Sequence, residues 1–328
     1  VNAETLQREM LPQGYDLRIL DAHHHFWNLE GEGSWPWIQH EYNPDFFLGD
    51  YNAMRHTFLR EQYLAATHGW SVIGTVHCEA ERSRDEEVAE DEFLESLHAE
   101  DPRFPTAVVA HASFLSDDLD EVLAGHAAHP LVRGIRSKPV IAADARAARS
   151  GAVAGRPGSL HDERWVAGLR KLSGYGFSYD LRVPFYHLAE AADVLAGIPG
   201  LRVVVNHCGL PLDRSDEGLA VWRDGMRRLA ALPDISVKVS ELGLYRNVWN
   251  RDSNIAVVRE TLEIFGFDRA MFASNLPVAT LTAPTFDDVM EVMLTGAAGA
   301  SVTELDQLFH ATAARVYRVG LPNPTTES

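Results

Sequence analysis

Leu17-Arg18-Ile19-Leu20-Asp21-Ala22-His23-His24-His25 is an apolar run that ends in three consecutive histidines. Side chains on an extended strand alternate between its two faces. The alternation places Asp21, His23 and His25 on one side and His24 on the other, where it is read as structural. Two imidazoles so spaced can hold one divalent ion or polarise a bound carbonyl. The bland alternative is a set of ordinary, hydrogen-bonded core histidines.

Seven more apolar runs follow this one: Val72–Glu79, Ala107–Phe114, Val132–Lys138, Phe177–Val183, Arg202–His207, Ile235–Leu242 and Ala270–Pro277. They are rich in Val, Ile and Phe, as strands buried on both faces are. Amphipathic stretches lie between them. Asp85–Glu100 carries Val88, Phe93, Leu94 and Leu97 on one face, Asp162–Ser173 carries Trp165, Val166, Leu169 and Leu172, and Asp216–Ala231 carries Leu219, Trp222, Met226 and Leu229. Gly174, Gly176 and Gly266 stand where helix C-caps are expected. Eight strands alternating with helices predict an α/β fold, a (β/α)8 TIM barrel, in preference to an open doubly wound sheet. The Gly-rich phosphate turn of the open sheet is missing after the first strand. The whole chain, 1–328, reads as a single domain with an N-terminal extension at 1–18. Insertions at 29–50 and 141–160 are expected over the C-terminal face of the strands, where barrel active sites lie.

The 328 residues exceed the ~250 of a minimal barrel. A formal charge of −18 argues against nucleic acid and against anionic membrane surfaces. It does not exclude an anionic small substrate held by a few arginines. Cys78 and Cys208 form no CxxC pair, and no apolar run approaches the ~20 residues of a membrane span. A cytoplasmic location is the expectation, and a homo-oligomer is compatible with it.

Other polar residues end the apolar runs. His207 closes the sixth. Arg136 and Lys138 end the fourth, and Asp180 and Arg182 end the fifth. Arg136 and Arg182 are candidate clamps for a substrate anion, or partners in internal ion pairs with Asp180 or Glu79. Glu79 is expected to face the pocket, and Glu81 to be solvated.

Asp21-Ala22-His23-His24-His25-Phe26-Trp27 resembles the DxHxHFW opening of the amidohydrolase-2 family. The resemblance runs on through Val76-His77-Cys78-Glu79-Ala80-Glu81, Val132-Arg133-Gly134-Ile135-Arg136 and Asn206-His207-Cys208-Gly209-Leu210-Pro211. It ends with Val237-Lys238-Val239-Ser240-Glu241-Leu242-Gly243 and Met271-Phe272-Ala273-Ser274-Asn275-Leu276-Pro277-Val278, and spans Ile19 to Gly320. The family implies a lactonase-like hydrolase with its site at the strand ends, using one divalent ion, zinc by its chemistry, or no metal. His23, His25 and His207 match positions that bind metal or polarise the carbonyl. Trp27, closing the first motif, is taken as a substrate contact with Glu79, Arg136 and Arg182. The family's strand-eight aspartate, the base that activates water, is Asn275 here. Glu241 stands where the family more often has Gly and offers a replacement carboxylate. No histidine between Arg182 and His187 matches a binuclear centre.

The resulting expectation is hydrolysis of a small cyclic ester, a lactone of a sugar acid or dicarboxylic acid. Catalysis would fall to His23, His25, His207, Asn275 and Glu241. The alternatives are a zinc-dependent decarboxylase of the same superfamily and a catalytically silent binding homologue. The partner expected is an anionic or polyhydroxylated small molecule.

Overall fold

In a computed structural model that describes residues 1–320, all eight predicted strands are present. They are β1 Arg18–His24, β2 Ser71–Cys78, β3 Ala107–His111, β4 Val132–Arg136, β5 Ser178–Leu181, β6 Val203–Val205, β7 Ile235–Val239 and β8 Ala270–Phe272. The last eight residues of the expected 1–328 span lie outside the described residues. The strands pair in parallel in sequence order, β1 to β8. Past the end of β8, Asn275 N donates to His23 O at 2.7 Å and His25 N to Leu276 O at 2.8 Å. These bonds bring the last strand round to the first, and the result is a nearly closed (β/α)8 barrel. No described helix is long and apolar enough to cross a membrane.

Most of the core lies between the strands and the surrounding helices. A second apolar cluster joins Leu20, Ala22, Val76, Val204 and Met271 of the strands to Ala313, Val316 and Tyr317 of the last helix. Gly176 and Gly266 cap helices at positive φ of 72° and 75°, as expected, whereas Gly174 lies inside the helix Glu163–Tyr175.

Two local expectations are corrected. Helix Glu87–Glu100 does not bury the predicted Val88, Phe93 and Leu97 fully; with Leu94 it buries Glu87, Glu90 and Asp91. Partners wait for these acids: His111 Nδ1 at 2.5 Å from Glu87, His126 Nδ1 at 2.6 Å from Asp91, and Ala80 N at 3.0 Å from Glu90. A buried acid is tolerated when it is so bonded. Strand β1 also breaks its alternation. Its register against β2 shifts between Asp21 and His24. The bulge turns Asp21 away from His23 and towards helix Arg60–Ala66, where Tyr63 Oη donates to it at 2.7 Å. Ser274 N and Oγ donate to the same carboxylate at 2.8 and 2.5 Å, so Asp21 ties β1 to the segment after β8.

Candidate active site

The polar residues that end the runs lie at the last positions of the observed strands, as Arg136 does in β4, or just past them, as Glu79, Arg182 and His207 do. That is why those residues gather on one rim. His207 follows β6, Glu241 follows β7 and Asn275 follows β8, with φ of 56°, 45° and 55°. Three non-glycine residues in the left-handed region at equivalent places are a repeated, strained device that aims side chains inward. A cavity of about 320 Å³ opens there, within the small-molecule range. His25, Glu79, Arg136, Arg182, His207 and Asn275 line it. The 29–50 insertion adds an aromatic wall from Trp37, Phe46 and Phe47; from 141–160 only Ile141 reaches it. The second insertion instead closes on itself, with Val140 N bonded to Gly158 O at 2.8 Å.

His23, His25 and His207 are buried, and burial drives all three well below the usual histidine range, with neighbouring cations adding to the shift. They are neutral imidazoles. Their protons follow from the partners. Lys238 Nζ lies 3.3 Å from His23 Nδ1, and an ammonium only donates. His23 Nδ1 is therefore the acceptor and Nε2 carries the proton. That N–H faces His25 Nε2 at 3.3 Å. His25 Nδ1 donates to Cys78 O at 2.8 Å, which leaves its Nε2 lone pair to receive it. His25 Nε2 also stands 3.3 Å from Asn275 Oδ1. The Asn275 amide in turn donates to Glu241 Oε2. Burial raises the Glu241 carboxyl to about 7 against the opposing pull of the Asn275 bond.

The two arginines have different roles. Arg136 Nε donates to Glu79 Oε1 at 2.7 Å and Nη2 to Glu79 O at 2.8 Å. Burial pushes Glu79 up, but Arg136 outweighs it and holds the carboxyl well below its usual range. Arg136 is thus locked into the internal ion pair and does not stand free as an anion clamp. Its Nη1 points at His23 Nε2, 3.5 Å away. Both nitrogens carry hydrogens, so neither accepts from the other, and the His23 proton is left to His25 Nε2. Arg182, by contrast, makes no hydrogen bond or ion pair among the described residues; its guanidinium lies 4.9 Å over the Phe47 ring. The carboxylate expected to neutralise it, Asp180, binds Lys238 at 2.6 Å instead. Glu81, expected to be solvated, lines the cavity and pairs with Lys138.

Trp27 does not line the cavity. It is fully buried, its indole N–H donates to His56 O at 2.7 Å, and it stacks behind His25 at 6.3 Å. His24 faces away from the site, packed against Phe26, Tyr63 and His77. His207 joins the group through its ring, 4.6 Å from that of His23, and is oriented by Ser240 Oγ at 2.9 Å. Sequence reasoning missed Lys238, Ser240 and Tyr317. Lys238 left a signal: a lysine in the middle of Ile235-Ser236-Val237-Lys238-Val239, a strand otherwise too apolar for one.

A divalent ion is a separate question. The 3.3 Å between His23 and His25 Nε2 equals the edge of a tetrahedron with Zn–N bonds of about 2.0–2.1 Å. The charges disagree. His23 offers a proton at Nε2, Arg136 points at the same atom, and the third neighbour is a neutral amide. A metal-bound histidine normally donates its other nitrogen to an acceptor; His23 faces an ammonium there. Among the described residues, the ligand atoms that converge within 4.8 Å belong to His23, Cys78 and Asp180, not to the expected histidine triad. That buried group could hold a metal ion by its donors, but Lys238 already sits against two of its members. As arranged, these residues do not fit a resident divalent ion.

A barrel with neutral histidines and other polar residues gathered at its C-terminal rim is the arrangement of an amidohydrolase-type hydrolase. The family model described as amidohydrolase matches residues 20–319, and the chain belongs to that family. It is 31% identical to an uncharacterized protein, y4mH, of Sinorhizobium fredii, over 93% of this chain and 99% of the other. It is 29% identical to the L-fucono-1,5-lactonase of Burkholderia multivorans, over 94% of this chain and 97% of the other. Among solved structures, an amidohydrolase from Burkholderia multivorans with bound zinc superposes with a TM-score of 0.73 at 26% identity, covering 92% of this chain and 99% of that one.

Proposed function

We propose that the protein opens a small lactone that carries a carboxylate. The observation that carries the reading is the Glu241 carboxyl, raised to about 7 and bonded to Asn275, the residue that lines the cavity in front of it. A general base works best with a pKa near the working pH. Similarity to a lactonase over nearly the full length supports the choice of ester.

In this reading the lactone carbonyl oxygen replaces His25 Nε2 as the acceptor of the His23 Nε2 proton and accepts from Arg136 Nη1 as well, and the two donors stabilise it as it becomes an oxyanion. Both are held in place before substrate arrives, Arg136 by Glu79 and His23 by Lys238. Asn275 orients the water, and Glu241 takes one of its protons as the oxygen attacks the carbonyl carbon. The tetrahedral intermediate then collapses, the ring C–O bond breaks, and the proton passes from Glu241 to the departing oxygen. The product is an open hydroxy acid, which releases one proton to solvent at neutral pH. Arg182 binds the substrate's own carboxylate. No step needs a metal, although the zinc-bound neighbour keeps a metal-assisted route on the list to test.

The test is a panel of lactones, neutral and carboxylated, followed with a pH indicator. Acid release that depends on Glu241 is the expected result. Release of CO2 from a carboxylated substrate would replace the hydrolase reading with the decarboxylase. Binding without turnover across the panel would replace it with the silent homologue.

A further inference from the structure

Lys238 is fully buried near the middle of β7, a position that costs a great deal unless its charge has a purpose. Each donor direction is met. Nζ binds Asp180 Oδ2 at 2.6 Å and His23 Nδ1 at 3.3 Å, and lies 5.1 Å over the Tyr317 ring. Asp180 is engaged in turn: Asn206 Nδ2 donates to it at 2.9 Å and Tyr317 Oη at 3.0 Å. The ammonium therefore sits among the same side chains whose ligand atoms converge as a metal-type group, His23, Cys78 and Asp180. A thiol, an imidazole and a carboxylate are a good donor set for zinc or cobalt. Beside a fixed cation they are a poor one, because the incoming charge would be added at contact distance.

We propose that Lys238 is a built-in cation that takes the place of a metal ion in this pocket. It acts as a positioning residue: by donating to His23 Nδ1 it holds His23 as the Nε2–H tautomer, the form that can donate to a bound carbonyl. The consequence for turnover rests on the hydrolase reading above; the seat of the cation does not.

The test uses chelator-stripped full-length protein titrated with CoCl2. Wild type is expected to retain no stoichiometric Co2+ and to show no thiolate-to-cobalt charge-transfer absorption. Lys238→Ala removes both the charge and its bulk and should gain both properties. Adding Cys78→Ser to that variant should abolish the absorption. A wild-type protein that holds one Co2+ per chain overturns the proposal, as does a folded Lys238→Ala protein that gains none. Should Lys238→Ala fail to fold, nitrogen-15 NMR of histidine-labelled wild type decides instead, with His23 assigned by loss of its signals in His23→Gln. Nδ1 must be unprotonated and Nε2 protonated; the reverse overturns the proposal. Lactone turnover is scored separately. A protein inert on every lactone but with the expected cobalt and NMR results sinks the hydrolase reading and leaves the role of Lys238 standing. A working lactonase that holds Co2+ does the opposite.

Discussion

Arg136 and Arg182 line the same cavity, yet replacing each by Met should break different things. Arg182 has no ion pair among the described residues, so Arg182→Met orphans none of their carboxylates; it loses the stacking on Phe47, worth ~0.5–1 kcal/mol at a partly exposed site. Its loss should fall on binding. A charge-assisted hydrogen bond to a substrate carboxylate contributes about 1.5–3 kcal/mol, which converts to a rise in KM of roughly 10- to 150-fold. A neutral lactone of the same ring should be unaffected. Arg136→Met leaves Glu79 fully buried without its partner. Removing one member of a buried pair costs about 3–5 kcal/mol of stability, and replacing Glu79 by Gln as well should recover part of it. Urea denaturation and indicator-based kinetics on both lactones measure the two effects. The reasoning fails if Arg182→Met raises KM equally for the neutral and the carboxylated substrate, or if it destabilises the protein as much as Arg136→Met does.

Three further expectations concern the base. Glu241→Gln should lower kcat by ~10²–10⁴ with little change in KM, the usual contribution of a positioned base; normal turnover would move the role to His25. Because burial raises Glu241, it is protonated and unable to accept a proton below about pH 7, so kcat/KM should climb through about 7 and level off above; a profile that falls over that range contradicts the assignment. Asn275→Asp sets a second carboxylate against Glu241, and two like charges in contact share one proton. The variant should be slower at pH 7 with its pH profile moved upward, whereas a large gain at pH 7 would make Asp at this position the better base.

The barrel was legible because eight buried parallel strands leave eight apolar runs, and polar residues at their ends fall on one rim whatever the exact strand limits. That reasoning put His25, His207 and Asn275 on the rim of the cavity they line and His23 next to them. The bulge in β1 was not legible, since alternation carries no mark of an inserted residue; Asp21 therefore seemed to share a side with His23 when it faces Tyr63. Nor were the two arginines separable. Whether a cation at a strand end is free depends on which acid reaches it, and Glu79, 57 residues away in sequence, reaches Arg136. The acids of helix Glu87–Glu100 misled for the same reason, their partners lying on β3, on the following helix and just past β2.

The charges around the cavity cancel in pairs. Arg136 is matched by Glu79, Lys238 by Asp180 and Lys138 by Glu81. Of the charged residues lining the cavity, Arg182 and Asp45 have no such partner among the described residues, and Glu241 stands behind Asn275, to which it is bonded. Arg182 offers a substrate carboxylate one cation that no protein acid has taken, among the described residues, despite the −18 of the whole chain. Hydrolysis of a carboxylated lactone creates a second carboxylate where the ester was, beside Asn275 and Glu241. Arg182 can compensate only one of the two. Once Glu241 has passed its proton on, it is ionised again and repels the new carboxylate, so the arrangement that activates water also favours release of the product.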